Sequence, residues 1–384
     1  MDSLKNEIKK IGFINKLRAE KWKKHTRAEL FTAKEIELLE NSPEKISEAI
    51  TRRLEALPDR GKNKLADLEK VYNCSPMSKR PDVDEKALKE DMLFWHFAYG
   101  FTFNEYACYQ FIDKDYVERR TFLSDRDSAW LCYDMNDMRQ MRILADKALT
   151  YERFKQYYGR EAIVISDESD FERFLSFIER HDRFVKKNTR ESCGRSVELI
   201  ELASVTVTPQ ELFDTLIFQG RIILEEVITQ SAEICAFNPS SVNTLRCITI
   251  RTKNEIAAPF FFFKTGRAGM FVDNGAAGGI IVAVDGSTGV LGTATDEYGN
   301  RFDAHPDSGI PFSGFQLPDW RQLVDMCCEM SAKLPEIRII GWDLAHTDQG
   351  WIAIEGNSMT ESIGPQSTWL RGMRKTVEEL RLAK

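Results

Sequence analysis

Residues 337–357 read IRIIGWDLAHTDQGWIAIEGN, two runs rich in branched and aromatic residues joined around Asp348-Gln349-Gly350. Such runs favour strands, and the turn residues between them favour a hairpin. A three-residue loop with Gly350 in the left-handed conformation is a common way to close one. It pairs Asp343 with Glu355 and sets Asn357 one step along the same face, because side chains two apart on a strand point the same way. The other face then carries Ile340, Trp342 and Leu344 opposite Ile352 and Ile354. One face is core, and the other presents two carboxylates and an amide.

Directly opposed carboxylates repel unless a cation lies between them or one takes up a proton. Magnesium suits the first solution, since it favours oxygen ligands, uses one or two carboxylates, and completes its shell with water and nucleotide phosphate. An exposed hairpin with solvated charges accommodates the same residues, as does a register one residue different that turns Asp343 to the opposite face.

Upstream, Thr244 to Ile250, Ala257 to Lys264 and Gly279 to Asp285 read as further strands, and one helix, about Trp320 to Lys333, interrupts the series. A last helix closes the chain after Gln366. Before these lies a smaller alternating unit from about residue 160 to 228. It has strands at Ala162 to Ile165, Arg183 to Lys187, Val197 to Leu202 and Arg221 to Ile228, a helix capped by Ser166, and a capping box at Thr208-Pro209-Gln210-Glu211. Lys186 ends one strand and leads into Asn188 to Arg195, where Ser192 and Gly194 could let backbone amides approach phosphate. A surface lysine beside a turn is the plainer explanation. Glu225 and Glu226, at the end of another strand, offer acceptors to an adenine amino group and ribose hydroxyls, or are simply solvated.

The rest is helical in pattern. Glu85 to about Tyr158 is rich in aromatics, and residues 1 to about 79 form charged helices broken near Pro43, Pro58 to Gly61 and Asn73 to Pro81. Residues 1–30 hold nine Lys or Arg against four Asp or Glu, beside Ile8, Ile11, Ile14, Leu17 and Trp22. A basic amphipathic helix of this kind can lie on an anionic membrane, or pack on its own protein.

The whole chain, 384 residues with a net charge of -7, is too long for one ordinary core and too weakly charged to suggest nucleic acid as the main partner. No apolar run is long enough to span a membrane, and the start lacks the pattern of a secretory signal, so a cytoplasmic location is expected. The eight cysteines form no C-x-x-C pair and no zinc spacing, which favours reduced, buried thiols.

Taken in order, Asp146-Lys147, Phe184-Val185-Lys186, Ile223-Leu224-Glu225-Glu226-Val227-Ile228, Asn243-Thr244-Leu245-Arg246, Gly278-Gly279, Gly341-Trp342-Asp343 and Ile354-Glu355-Gly356-Asn357 resemble the ATP-grasp superfamily. They are most similar to its sugar-transfer-associated branch, linked with cell-surface polysaccharide synthesis. The resemblance covers roughly residues 145 to 365, and its most specific element is an Asp followed about twelve residues later by Glu-x-Asn. It implies an α+β ATP-grasp fold, two subdomains clasping ATP, with a helical extension at the N-terminus. The divisions are then 1–79 for the charged extension, 80–158 for a mostly helical region, 159–228 for the small subdomain and 229–384 for the large one with the metal site.

The same resemblance implies that Lys147 and Lys186 hold ATP phosphates, with Ser192 and Gly194 in the phosphate loop. Glu225, Glu226, Val227 and Ile228 receive adenine and ribose, and Asp343, Glu355 and Asn357 bind Mg2+, with Mn2+ as a substitute. Arg246, with Lys186, stabilises the transferred phosphoryl group; a structural ion pair is the other role open to Arg246. Two departures stand out: the phosphate loop is poor in glycine with Lys187 where proline is common, and Ser358-Met359-Thr360-Glu361-Ser362 replaces the common proline-glycine turn. Asn274 and Gly275 line an acceptor pocket or make an ordinary tight turn. The implied activity is a carboxylate-amine ligase using ATP. Its partners are a small-molecule or sugar-linked carboxylate and an amine, with peripheral membrane contact through residues 1–30 open. Phosphoryl transfer to another acceptor, or nucleotide binding without catalysis at a membrane, are the competing activities.

Overall fold

The computed structural model describes residues 27–190, 197–270 and 278–383, together with residues 17, 20, 21, 23 and 24. Two antiparallel sheets organise these residues. The smaller has the order β1-β4-β2-β3, built from β1 (Ala162–Ile165), β2 (Arg183–Asn188), β3 (Glu198–Glu201) and β4 (Ile222–Glu226). Its even-numbered positions in β2 and β4, Phe184, Ile222 and Leu224, bury against Phe174, Phe177, Phe213 and Leu216 of the helices Phe171–Ile178 and Pro209–Phe218. The Thr208 capping box starts the second of these helices as expected. The first is preceded by a short turn capped by Asp167 rather than Ser166, whose N–H and hydroxyl both bond the Asp170 carboxylate.

The larger sheet runs β11-β10-β5-β6-β7-β8-β9. Its strands are β5 (Thr244–Arg251), β6 (Ile256–Thr265), β7 (Ile280–Val284), β8 (Leu291–Thr295), β9 (Arg301–Phe302), β10 (Ile339–Thr347) and β11 (Gly350–Asn357). One face of this sheet, with Leu245, Phe263, Val282, Trp342 and Leu344, forms the main core together with Phe154, Phe237, Leu323 and Met330. Trp342 is wholly buried, and its indole N–H donates to Ser331 Oγ at 2.8 Å, so the large ring is packed without an orphaned donor. β8 and β9 escape the strand pattern because Leu-Gly-Thr-Ala-Thr and Arg-Phe are short and poor in branched apolar residues.

A third core holds the helices of the N-terminal region. It runs without interruption from Phe31 to Phe122, so the break expected at 79/80 does not divide the packing. Trp95, Phe101, Tyr109, Phe111 and Phe122 fill its centre with edge-to-face ring contacts. This region is joined to the helix Ile363–Trp369, which packs on β6, β7 and β8, by Gln366, fully buried, whose side chain bonds Tyr109 Oη and the main chain of Leu123. Of the basic segment at the start, Lys23 pairs with Asp134, and the Arg27 guanidinium lies 4.4 Å from the Trp130 ring centroid. These two cations pack on the protein itself; Ile8, Ile11, Ile14 and Trp22 lie outside the described residues. No helix among the described residues is long and apolar enough to cross a membrane.

Candidate active site

A cavity of about 1100 Å³ lies between the two sheets. The large sheet turns toward it the face opposite Leu245, Phe263 and Trp342, and the small sheet the face opposite Phe184 and Leu224. From the large sheet come Thr244, Arg246, Lys264, Asp343, Glu355 and Asn357; from the small sheet Arg183, Val185, Lys187 and Glu225; and residues 226–230 join the two.

The hairpin brings Asp343 opposite Glu355 and Gly341 opposite Asn357. It reaches that register by a route different from the one expected. The loop contains two residues, since Thr347 pairs with Gly350, whose φ is +102°. A bulge then inserts Ile354 between the pairs Leu344–Ala353 and Asp343–Glu355, adding back the residue that the shorter loop removed. The core face is therefore lined by Trp351 and Ala353 opposite His346 and Leu344, while Ile354, expected in the core, lines the cavity.

Asp343 is paired on its other side with Arg246 of β5. Arg246 grips it with two hydrogen bonds, Nε to Oδ1 at 2.5 Å and a second guanidinium nitrogen to Oδ2 at 2.6 Å. Lys264 Nζ lies 3.2 Å from Oδ1. Burial alone would raise the Asp343 pKa, but the two cations outweigh it and hold the carboxyl down at about 2. Arg246 is correspondingly raised: burial opposes its charge, and Asp343 more than restores it. Asn357 Nδ2 donates to Glu355 Oε1 at 3.2 Å and approaches Asp343 Oδ2 at 3.5 Å. Gly341 leaves the room this cluster needs, because a Cβ there would stand 2.5 Å from Thr360 Oγ1 and 3.1 Å from Arg246 Cδ.

No three His, Cys, Asp or Glu side chains converge among the described residues, because the third donor here is an amide. Two carboxylates and an Asn side chain on one face nevertheless suit a hard divalent cation that keeps water and phosphate in its shell. Turning the Asn357 amide over presents its oxygen instead of its nitrogen, the two being near-equal in shape. The donor set therefore fits magnesium.

On the small sheet the alternation of β2 settles which lysine faces the cavity. Arg183, Val185 and Lys187 line it, whereas Lys186 shares the opposite parity with Phe184 and pairs with Glu198 of β3 at 2.9 Å. The phosphate-facing role expected of Lys186 falls on the wrong side of the strand. Lys187 sits where the cavity is, 2.9 Å from Glu225 Oε2. Glu225 is also held by Arg160, at 2.9 Å from Nε and 2.6 Å from the second guanidinium nitrogen. Its burial would raise the pKa, yet Arg160 and Lys187 bring it down to about 2. Arg160 continues to the Ala353 carbonyl at 2.7 Å and so ties the small sheet to β11.

The remaining expected residues divide into those at the cavity and those beyond description. Glu226 lines the cavity and accepts the Glu161 N–H at 3.0 Å, and Val227 and Ile228 line it beside Glu226. Lys147 lines it as well, at the start of a helix capped by Asp146, and its N–H donates to Thr189 O at 2.7 Å. Ser192, Gly194, Asn274 and Gly275 lie outside the described residues. From the sequence Lys187 stands out only as a departure from proline, and Arg160 and Lys264 do not stand out. Strand parity points to Lys187, and a lysine ending the run Phe260-Phe261-Phe262-Phe263 points to Lys264.

A family model described as "Sugar-transfer associated ATP-grasp" matches residues 127–380. No curated protein matches the chain. Among solved structures, the chain is similar to the ATP-grasp ligase PsnB complexed with a minimal precursor, at 10% identity over 65% of this chain and 64% of that one, TM-score 0.39. It is also similar to the D-alanine-D-alanine ligase from Coxiella burnetii, at 9% identity over 65% and 59%, TM-score 0.38. A third is the D-alanine-D-alanine ligase from Helicobacter pylori, at 12% identity over 67% and 64%, TM-score 0.36. In each case the match spans less than two thirds of the solved chain.

Proposed function

The chain belongs to the sugar-transfer-associated ATP-grasp family, and from that premise we propose that it is an ATP-dependent ligase joining a carboxylate to an amine through an acyl phosphate. The carboxylate is carried on a sugar or a related acid, in the building or modification of cell-surface polysaccharide. This substrate class rests on the family's association with sugar transfer.

A carboxylate does not condense with an amine in water because its oxygen is a poor leaving group. Phosphorylation removes that obstacle, and the task of the site is to spread charge while a phosphoryl group passes between oxygens. Lys147 and Lys187 receive the phosphates from the small-subdomain side, and Arg246 and Lys264 receive the transferring group from the large sheet. Asp343, Glu355 and Asn357 would hold magnesium, which would neutralise phosphate charge. Residues 226–228 take the adenine and ribose, with the buried Glu225, fixed by Arg160 and Lys187, anchoring the start of that segment. The carboxylate oxygen attacks the terminal phosphorus, ADP leaves, the amine attacks the acyl carbon, and inorganic phosphate departs. No nucleophile from the protein is needed.

The observation that carries this reading is the convergence of Arg246, Lys264, Asp343, Glu355 and Asn357 on the sheet face that closes the cavity opposite Lys187. Phosphorus NMR of the turnover products tests it. Acid-dependent formation of ADP and phosphate supports the acyl phosphate route, whereas AMP and pyrophosphate would assign the activation to adenylation instead.

A further inference from the structure

The carboxylate of Asp343 is already engaged by two buried cations. An ionised carboxylate offers about four lone-pair positions. Here Oδ1 receives Arg246 Nε and Lys264 Nζ, at 2.5 and 3.2 Å, and Oδ2 receives a second Arg246 nitrogen and Asn357 Nδ2, at 2.6 and 3.5 Å. The pairings are not those of an exposed pair that water can exchange, because Asp343, Arg246 and Lys264 have side chains only 6%, 9% and 12% exposed. A divalent cation approaching Asp343 in this arrangement meets two positive charges already in place.

Both cations also border the cavity. Arg246 has a second carboxylate within reach, Glu361, whose Oε1 lies 3.7 Å from its Nη1. The pair can therefore shift toward the cavity without losing all compensation for its charge. What would draw it there is a group with several anionic oxygens placed between the two sheets.

Resting on the ligase reading above, we infer that Lys264 acts with Arg246 as a counter-ion shared between Asp343 and the triphosphate, so that Asp343 serves a metal only when nucleotide has taken up both cations. Lys264 is thereby a site residue whose charge keeps the metal ligands closed in the absence of nucleotide. The metal site is nucleotide-gated by competition, with no lid required. A residue of purely structural importance would, when replaced, weaken metal and nucleotide binding together. A shared counter-ion changes them in opposite directions.

The experiment measures Mn2+ binding to the full chain by the EPR signal of the free ion, with and without the non-hydrolysable analogue AMPPNP, and AMPPNP binding alone in EDTA by calorimetry. The wild type should hold Mn2+ at least about tenfold more weakly without AMPPNP than with it. Lys264→Met should tighten Mn2+ binding to the nucleotide-free protein about tenfold and weaken AMPPNP binding in EDTA by a similar factor. Lys264→Arg, which keeps the charge, should behave as the wild type in both, and an unchanged melting curve shows that each variant is folded. Equal Mn2+ affinity with and without AMPPNP in the wild type, or a Lys264→Met variant that binds both ligands more weakly, would overturn the inference while leaving the ligase reading intact. A wild type that binds neither Mn2+ nor AMPPNP would overturn both.

Discussion

Arg246 and Asp343 stand directly across the β5–β10 ladder and share two hydrogen bonds of 2.5 and 2.6 Å, with neither side chain more than 9% exposed. Breaking a buried pair of this kind by removing one partner leaves the other charge stranded, at a cost of about 3–5 kcal/mol. Arg246→Met should lose that much stability in urea titration. Arg246→Met combined with Asp343→Leu should lose clearly less than the two single changes added, because no charge is then left alone.

Acid should weaken the fold through two carboxylates in particular. Asp343 and Glu225 are each held at about 2 in the folded protein, below the values near 4 of the unfolded chain. A group depressed in this way contributes stability that is complete above the unfolded value and is lost as pH falls toward the folded one. The contribution of these two groups to the unfolding free energy should therefore be complete above about pH 5 and decline between about pH 4 and 2, by roughly 2 kcal/mol or more for each. A chain equally stable at pH 2 and pH 6 would contradict the ion pairs.

The parity of β2 separates its two lysines. Lys187→Met removes a cation from the cavity wall and should weaken ATP binding about tenfold or more, measured by calorimetry. Lys186→Met removes a pair with the largely exposed Glu198, worth about 1 kcal/mol or less, and should leave ATP affinity near the wild-type value. The reverse ranking would restore Lys186 to the phosphate site.

Gly341 is required by close approach, since a Cβ there would press on Thr360 Oγ1 and Arg246 Cδ. Gly341→Ala should cost about 1–3 kcal/mol as an overpacked site and reduce turnover by displacing the Arg246 guanidinium. Thermal unfolding and steady-state rates measured on the same preparation separate the two effects.

Much of this was legible in the residues themselves, for reasons that also explain the misses. The hairpin could be read because both runs are long, branched and separated by turn residues, and its Asp343–Glu355 pairing is present. That pairing arises from two departures that cancel, a loop one residue shorter and a bulge at Ile354; local sequence does not distinguish such a pair from an unbroken ladder. The strand-end position and the resemblance both point to Lys186, whereas the alternation of Phe184, Val185, Lys186 and Lys187 decides which side chain meets the cavity. Lys264 and Arg160 matter through partners 79 and 65 positions away, Asp343 and Glu225, and no periodicity connects them. The single core from Phe31 to Phe122 could not be seen at Pro76 to Pro81, because turn residues mark a change of direction and not an end of packing.

In the proposed function the Asp343–Glu355–Asn357 face supports activation of a carboxylate at the expense of ATP. The most direct measurement is hydroxamate formation with magnesium, ATP and hydroxylamine across a panel of sugar acids and related carboxylates, comparing the wild type with Glu355→Ala. Hydroxamate that depends on one acid and on ATP, and falls at least about a hundredfold in Glu355→Ala, is the result expected for loss of a ligand to the magnesium that would neutralise the transferring phosphoryl charge. Hydroxamate formed equally well by Glu355→Ala, or a wild type that turns over ATP with an identified acceptor yet traps no acyl group, would contradict it.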